Sequence, residues 1–358
     1  MKFRLSFLFI LLLSAVFLSS CAGNSRGLAV SWPGLTTDGE TIYLASGQFV
    51  YALNPSNGSQ IWQFPEKAEG NLSFYAPPTV GEDGQLLVGG YNNVFYSLTP
   101  PNDSGFATAA WSFDGARNRY IGSALATDSL ILVPSADKNL YALNFNGEKV
   151  WNFTTQEPLW GVPATDGESV YLSSLDHHLY AVDAETGQEK WKVDLGGAIV
   201  GSPVVSEGMV YVGSFAKALT ALDTQTGEIV WTFPTQDWMW AGPTLENGTL
   251  FFGSIDGMFY AVDAQTGEQL WDYEADGGIF GAPLVTNGKI YFATENGNIY
   301  AFDAESDELL WSENVVGKIY TSPISVNNLI LIALMESDKL VIAYDENKVE
   351  RWSFTPGE

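Results

Sequence analysis

Eight tryptophans recur along this chain at nearly one interval. Trp62, Trp111, Trp151, Trp191, Trp231, Trp271, Trp311 and Trp352 are separated by 49, 40, 40, 40, 40, 40 and 41 residues. Self-similarity at a period of this size marks one supersecondary unit repeated in an array. Such a unit cannot bury its own apolar surface, so neighbouring copies must cover one another. A residue found at the same place in every unit is therefore read as structural first.

One clear unit runs over 160–191, WGVPATDGESVYLSSLDHHLYAVDAETGQEKW. Val162, Pro163 and Ala164 form a first short strand. Asp166-Gly167 supplies a two-residue hairpin turn, where glycine accepts a positive φ. The stretch 169–173 alternates and is rich in Val, Tyr and Leu, a strand signature. Asp176-His177-His178 turns into a third strand at 179–183, and Thr186-Gly187 turns into a fourth carrying Trp191. The same turn chemistry recurs at Asp38-Gly39, Asp83-Gly84, Asn247-Gly248 and Asn287-Gly288, and at Asn57-Gly58, Asn146-Gly147, Thr226-Gly227 and Thr266-Gly267. No sustained 3.6-residue apolar period appears between Leu28 and Trp352, so no helix is expected there.

Four antiparallel strands in about 40 residues is a propeller blade. The predicted fold is an all-β, eight-bladed β-propeller, one domain over 29–354, with a short tail at 355–358. Cutting such a ring would expose two blade faces. Pro78, Pro163, Pro203, Pro243, Pro283 and Pro323 fall at one repeat position; proline is confined to strand starts and edges, which makes the first strand of each unit the innermost. Blade 2 carries extra residues at 66–71 and 99–107. The chain begins on an innermost strand and ends on an outermost one, so each repeat can form one whole blade.

The units resemble the tryptophan-docking repeat of the pyrroloquinoline-quinone (PQQ) propeller family, Ala-x-Asp-x-x-Thr-Gly-x-x-x-Trp. Ala181/Asp183/Thr186/Gly187/Trp191, Ala221/Asp223/Thr226/Gly227/Trp231 and Ala261/Asp263/Thr266/Gly267/Trp271 match it fully. Ala52/Asn54/Gly58/Trp62 keeps the frame, Ala142/Asn144/Gly147/Trp151 is one residue short, and Ala301/Asp303/Trp311 has Ser306-Asp307 in place of Thr-Gly. The resemblance implies that all eight tryptophans are structural, wedged between blades near the glycine of their own motif.

Lys2 and Arg4 precede an apolar run from Leu5 to Leu18, the pattern of a secretory signal. Leu18-Ser19-Ser20-Cys21 resembles a bacterial lipobox, and Cys21 is the chain's single cysteine. We read 1–20 as a cleaved signal peptide, Cys21 as the lipidated residue and 21–28 as a tether. Removing 1–20 takes away Lys2 and Arg4 and shifts the formal charge from −26 to −28. A surface this acidic should repel nucleic acid. With no aspartate after Cys21, the periplasmic face of an outer membrane is the expected location, or the cell surface in a single-membraned organism.

A ring of aromatics offers the best candidate site. Trp32, Tyr75, Trp160, Trp240, Phe280 and Tyr320 share one repeat position ahead of the innermost strand, with Ile121 and Val200 completing the eight and Tyr120 beside Ile121. Gln156-Glu157, Gln236-Asp237-Trp238, Arg117 and Arg119 precede the same position. This collar would suit a peptide, a sugar or a flat ligand; alternatively its rings pack between inner strands. His177 and His178 sit on a turn and point apart. The sequence shows no zinc or calcium spacing, no nucleophile in a recognisable triad and no phosphate loop. No metal, cofactor or catalytic residue is assigned.

Three functions follow. The chain resembles the BamB-type outer-membrane-assembly lipoproteins, which implies a non-enzymatic scaffold that binds the barrel-assembly machinery, attaches to membrane by its lipid alone and is monomeric when free. An extracytoplasmic polysaccharide- or peptide-binding or sensory module is the second reading. A PQQ-dependent dehydrogenase is the third; it resembles longer chains with a vicinal disulfide, which one cysteine cannot form.

Overall fold

The computed structural model describes residues 32–81, 84–102 and 105–357. The stretches expected to be signal peptide and tether, with Cys21, lie outside the described residues, as does Asp83 of one expected turn. Eight four-stranded antiparallel sheets are formed, each from strands in chain order. They occupy 34–64, 79–113, 125–154, 164–194, 204–234, 244–274, 284–314 and 324–354, and are called blades 1 to 8 here. Blade 4 is typical, with strands Ala164–Thr165, Ser169–Ser173, His178–Asp183 and Glu189–Asp194. Each repeat thus makes one complete blade, and among the described residues no strand is exchanged to close the ring.

The core consists of eight layers, one at each junction between blades. Alternation builds them, because successive side chains of a strand point to opposite faces. In blade 4, Val170, Leu172, Tyr180 and Val182 pack against blade 3, whereas Tyr171, Leu179 and Ala181 pack against blade 5. The two middle strands are buried on both faces and read as continuous apolar runs. Blade 1 packs on blade 8 through Leu44, Leu53, Leu331, Val341 and Trp352, which closes the ring.

The repeat motif has a geometric explanation. Every sheet carries a β-bulge at one place in its fourth strand: the residue just before the tryptophan is the extra one, opposite the point just past the third-strand residue paired with the tryptophan. That third-strand residue is alanine in seven blades and Ser97 in blade 2, all fully buried. A small side chain there lets the indole lie over it. The motif aspartate then shapes the last hairpin: Asp183 Oδ1 accepts from the Thr186 amide at 2.9 Å and the Thr186 hydroxyl at 2.7 Å. These hydrogen bonds hold its carboxyl below the usual carboxylate range. Where blade 7 lacks Thr-Gly, the Ser306 hydroxyl bonds Asp303 at 2.8 Å and Asp307 adopts φ +56°, so the turn survives.

Two expectations need correction. The indole docks on the glycine of the following blade, not of its own motif. Trp111 lies on Gly147, Trp151 on Gly187, Trp191 on Gly227, Trp231 on Gly267 and, across the closure, Trp352 on Gly58. The Nε1 of Trp111, Trp191, Trp231, Trp311 and Trp352 then donates to the next blade's turn, from Trp191 to the Thr224 carbonyl at 2.9 Å and from Trp352 to the Pro55 carbonyl at 2.8 Å, whereas the buried Trp151 Nε1 has no partner among the described residues. A motif read along one unit cannot reveal that its two ends serve different interfaces. Second, Asp166-Gly167 is not a two-residue turn. The pairing ends at Thr165 and Val170, because Asp166 Oδ1 draws in the amides of Glu168 and Ser169. Asn247-Gly248, by contrast, joins Glu246 to Thr249 directly, with φ +48° and +80°, as a type I′ turn requires.

The extra residues of blade 2 lean on blade 1. Gln63 of the outermost strand donates to the Gly105 carbonyl at 3.2 Å and accepts from the Ala107 amide at 3.0 Å. Ala107 is buried beside Trp62.

Candidate functional site

Two adjacent repeat positions precede each innermost strand, and the chain's period-two alternation gives them opposite roles. The first points into the junction between blades: Phe74, Tyr120, Leu159, Ile199, Met239, Ile279 and Ile319 are at most 1 % exposed. The second faces the central channel: Trp32, Tyr75, Ile121, Trp160, Trp240, Phe280 and Tyr320 are half-buried, and Val200 is buried. Tyr120 therefore does not belong to the collar. It occupies the wall position, packs on Phe95 at 5.6 Å between ring centres and belongs to the layer between blades 2 and 3. Its neighbour Ile121 takes the channel position.

The innermost segments meet backbone to backbone. A Cβ on Gly161 would lie 2.7 Å from the Gly201 carbonyl oxygen, and one on Gly281 2.6 Å from that of Thr321, so glycine is required where the strands converge. Hydroxyls stitch neighbouring blades together. Ser202 Oγ accepts from the Val162 amide at 3.0 Å, Ser322 Oγ from the Ala282 amide at 2.9 Å, and the Thr244 and Ser123 hydroxyls donate to the Pro283 and Pro77 carbonyls at 2.6 Å. The channel mouth is a fixed frame.

On that frame the rings converge. Trp32 stacks on Tyr320 at 5.2 Å and 14°, lies 5.6 Å from Trp240 and meets Phe280 edge-on at 6.4 Å. The line continues from Trp240 to Phe215 at 5.6 Å and from Phe215 to Trp238 at 4.7 Å. Across the mouth, Tyr75 stacks on Tyr91 at 3.8 Å, and the Arg119 guanidinium stands 4.8 Å from the Tyr91 ring centre. A cavity of about 430 Å³ opens between them, lined by Trp32, Tyr75, Arg119, Trp160 and Trp240 among others. Burial, then the neighbouring Tyr75, pushes the Tyr91 hydroxyl up to about 12, with Arg119 pulling the other way. Tyr320 is raised by burial and then by Glu295 and Glu336. Aromatic faces with the Arg119 guanidinium on one side suit an apolar group that also carries a hydrogen-bond acceptor.

The other flanking residues stay outside this cavity. Glu157 pairs with Lys138 at 3.4 Å and Asp237 with Lys217 at 3.3 Å. The amides of Gln156 and Arg117 each donate to a turn aspartate, Asp176 and Asp137, at 2.8 Å. His177 is exposed on its turn with φ +76°, and His178 Nδ1 lies 2.9 Å from the Asp176 carbonyl. Among the described residues no group of three or more His, Cys, Asp or Glu is arranged to hold a metal ion. Sequence reasoning missed Tyr91 and Phe215. They share one position in the second hairpin, whose amide donates back to the channel segment, from Tyr91 to Ser73 and from Phe215 to Ala198. An aromatic residue on a hairpin tip was the available signal.

Comparison with known proteins agrees with this architecture. The family model described as "Outer membrane protein assembly factor BamB" matches residues 46–159, 136–239 and 221–353. Among solved structures, BamB from Moraxella catarrhalis is 20 % identical with a TM-score of 0.71, over 86 % of this chain and 92 % of that one. The computationally designed Ika8 protein is 15 % identical with a TM-score of 0.74, over 89 % and 98 %. At these identities the likeness concerns the fold. A tetrathionate hydrolase of Acidithiobacillus ferrooxidans is 26 % identical over 176 residues, 49 % of this chain but 30 % of that protein.

Proposed function

The chain belongs to the family of the outer membrane protein assembly factor BamB, and on that premise we propose that it is a non-enzymatic, lipid-anchored propeller of the bacterial envelope that docks a protein partner in outer-membrane β-barrel assembly. The observation that carries this reading is the family match, which runs from blade 1 into blade 8. The Leu18-Ser19-Ser20-Cys21 sequence supports an acyl anchor on Cys21 after loss of 1–20, and the periplasmic face of the outer membrane as its place. The rim of the ring offers a surface for a partner. Ile61, Val150, Val230, Leu270 and Leu310 each stand exposed immediately before the docking tryptophan on an outermost strand. Such strands carry backbone groups that another chain can pair with. Affinity capture of the tagged, acylated protein from its own envelope after crosslinking should recover the central barrel subunit. Recovery of no barrel-assembly component would refute the role.

The hydrolase likeness motivates a second reading, an enzyme acting on a polythionate. It rests on a match to less than a third of that protein. Purified protein incubated with tetrathionate at acid and neutral pH should release no thiosulfate; steady release would replace the scaffold reading with this one.

A further inference from the structure

The described residues begin at the channel mouth. Trp32, the first residue described, stands inside the aromatic cluster against Tyr320 and Trp240. The strands alternate in direction, so the segments leading into each blade and the hairpins between second and third strands all lie on the mouth face. The first and last hairpins of every blade lie on the far face. Cys21 is eleven residues before Trp32, a reach of about 38 Å even when fully extended.

The balance of charge differs between the same two faces. The far face carries exposed Asp38, Glu40, Asp166, Glu168, Glu207 and Glu246 on its first hairpins, besides the motif aspartates of its last ones. Three of its lysines are ion-paired, Lys190 with Asp183 at 3.8 Å, Lys289 with Glu346 at 2.6 Å and Lys348 with Glu313 at 2.6 Å, Lys149 donates to Asn152 at 3.2 Å, and Val349 on the last hairpin of blade 8 is an exposed apolar side chain. The mouth face is acidic as well, with Glu66, Glu69, Asp114, Glu157, Asp256 and Glu336 on its loops, but it sets Lys67, Arg117, Arg119 and Lys318 among them, and it exposes two large apolar side chains. Val316 is 85 % exposed and Trp238 is 42 % exposed. They occupy corresponding loops, those leading into blades 8 and 6.

We infer that the mouth face lies against the lipid surface and the acidic far face points into the aqueous space. The inference rests on acylation of Cys21. The anchor draws on the face where the chain emerges. Trp238 and Val316 are placed to enter the headgroup region, where tryptophan is favoured. The denser carboxylates of the far face, with fewer cations among them, are repelled by anionic lipid more strongly than the mouth face is, which disfavours turning the ring over. The rim remains open to a protein partner in this orientation.

The test uses the acylated full-length protein in phosphatidylethanolamine–phosphatidylglycerol vesicles containing a headgroup spin-labelled lipid. With Cys21 blocked by its acyl chain, a bimane is attached at Val316→Cys, at Gln236→Cys as a second mouth-face site, or at Asn287→Cys on a far-face hairpin. The two mouth-face probes should be quenched at least threefold more than the far-face probe. Uniform quenching, or stronger quenching at position 287, overturns the orientation. Flotation separates the premise: protein that floats only when Cys21 is intact retains the anchor whatever the quenching shows. Wild-type protein that fails to float removes the anchor and this inference with it.

Discussion

The docking of each indole on the next blade's glycine can be isolated by comparing two glycines with nearly the same backbone. Gly227 has φ +73° and Gly248 has φ +80°. A Cβ on Gly227 would lie 2.8 Å from Trp191 Cδ2 and 2.9 Å from its Cε3, whereas a Cβ on Gly248 meets nothing within 4 Å. Both substitutions to alanine carry the left-handed backbone cost of about 1–2 kcal/mol. Only Gly227→Ala adds a methyl overlap with a packed ring, about 1–3 kcal/mol more. Gly227→Ala should therefore lose roughly 2–5 kcal/mol and Gly248→Ala roughly 1–2, read from urea midpoints with the slope checked for constancy. A Trp191→Ala background removes the obstacle, so Gly227→Ala should there fall to the cost of Gly248→Ala, a coupling visible in the double-mutant cycle. Equal losses at the two glycines, or no coupling to Trp191, would refute inter-blade docking as the role of the motif glycine.

Three further outcomes follow from the same geometry. Trp352→Ala removes a nearly buried indole and its bond to the Pro55 carbonyl; it should cost about 3–5 kcal/mol and increase proteolysis between blades 1 and 8, and unchanged proteolysis would mean the ring is held otherwise. Met239→Ala, in the wall, should cost about 2–5 kcal/mol, while Trp240→Ala, at the mouth, should cost clearly less by the same urea measurement; the reverse order would return the collar to a packing role. The Tyr43 hydroxyl is pushed up to about 12 by burial and then by its bond to Asp38, so its contribution is complete below the unfolded value of about 10 and is lost as pH rises through about 12. Tyr43→Phe should flatten the alkaline limb of stability between those values. Asp38 runs the other way: burial raises it, but Tyr43 and the amides of Glu40 and Thr41 hold it lower overall. Its contribution is present above about pH 4 and is lost as the solution becomes more acid than that; a stability profile flat on both limbs in the wild type would contradict both signs.

Much of the fold was legible because repetition makes structural residues announce themselves. The tryptophan interval, the alanine facing each indole and the Asp-to-Thr-Gly turn each appear in several units, and each satisfies one local demand of a blade. What was not legible was which partner meets which. The indole of one unit and the glycine of the next are about 36 residues apart in sequence, as Trp191 and Gly227 show, yet both fall inside a motif that reads as one piece. Tyr120 was misplaced for a related reason. A one-residue shift moves a side chain to the opposite face of an extended segment, so Tyr120, counted with the collar as the neighbour of Ile121, stands in the wall with Leu159 and Met239. The asymmetry of charge was invisible because acidic residues are spread along the whole repeat array, and only the alternating strand direction shows that more of them fall on the far face.

Function in a repeat protein must therefore be sought where the repetition fails. Eight equivalent blades would present eight equivalent mouth residues, hairpin tips and rims. This chain instead gathers Trp32, Trp240, Phe280 and Tyr320 on one side of the mouth, with Phe215 and Trp238 adjoining them. Opposite stand Tyr75, Tyr91 and Arg119, while Val200 lends no ring at all. Such departures are not demanded by ring closure, since Ile121 and Val200 fill the same repeat position without aromatic rings. Their cost in uniform packing is small because the mouth frame is made by glycines, hydroxyls and prolines beneath them. The scaffold fixes where these side chains stand, and leaves which side chains stand there free to be set by what the mouth meets.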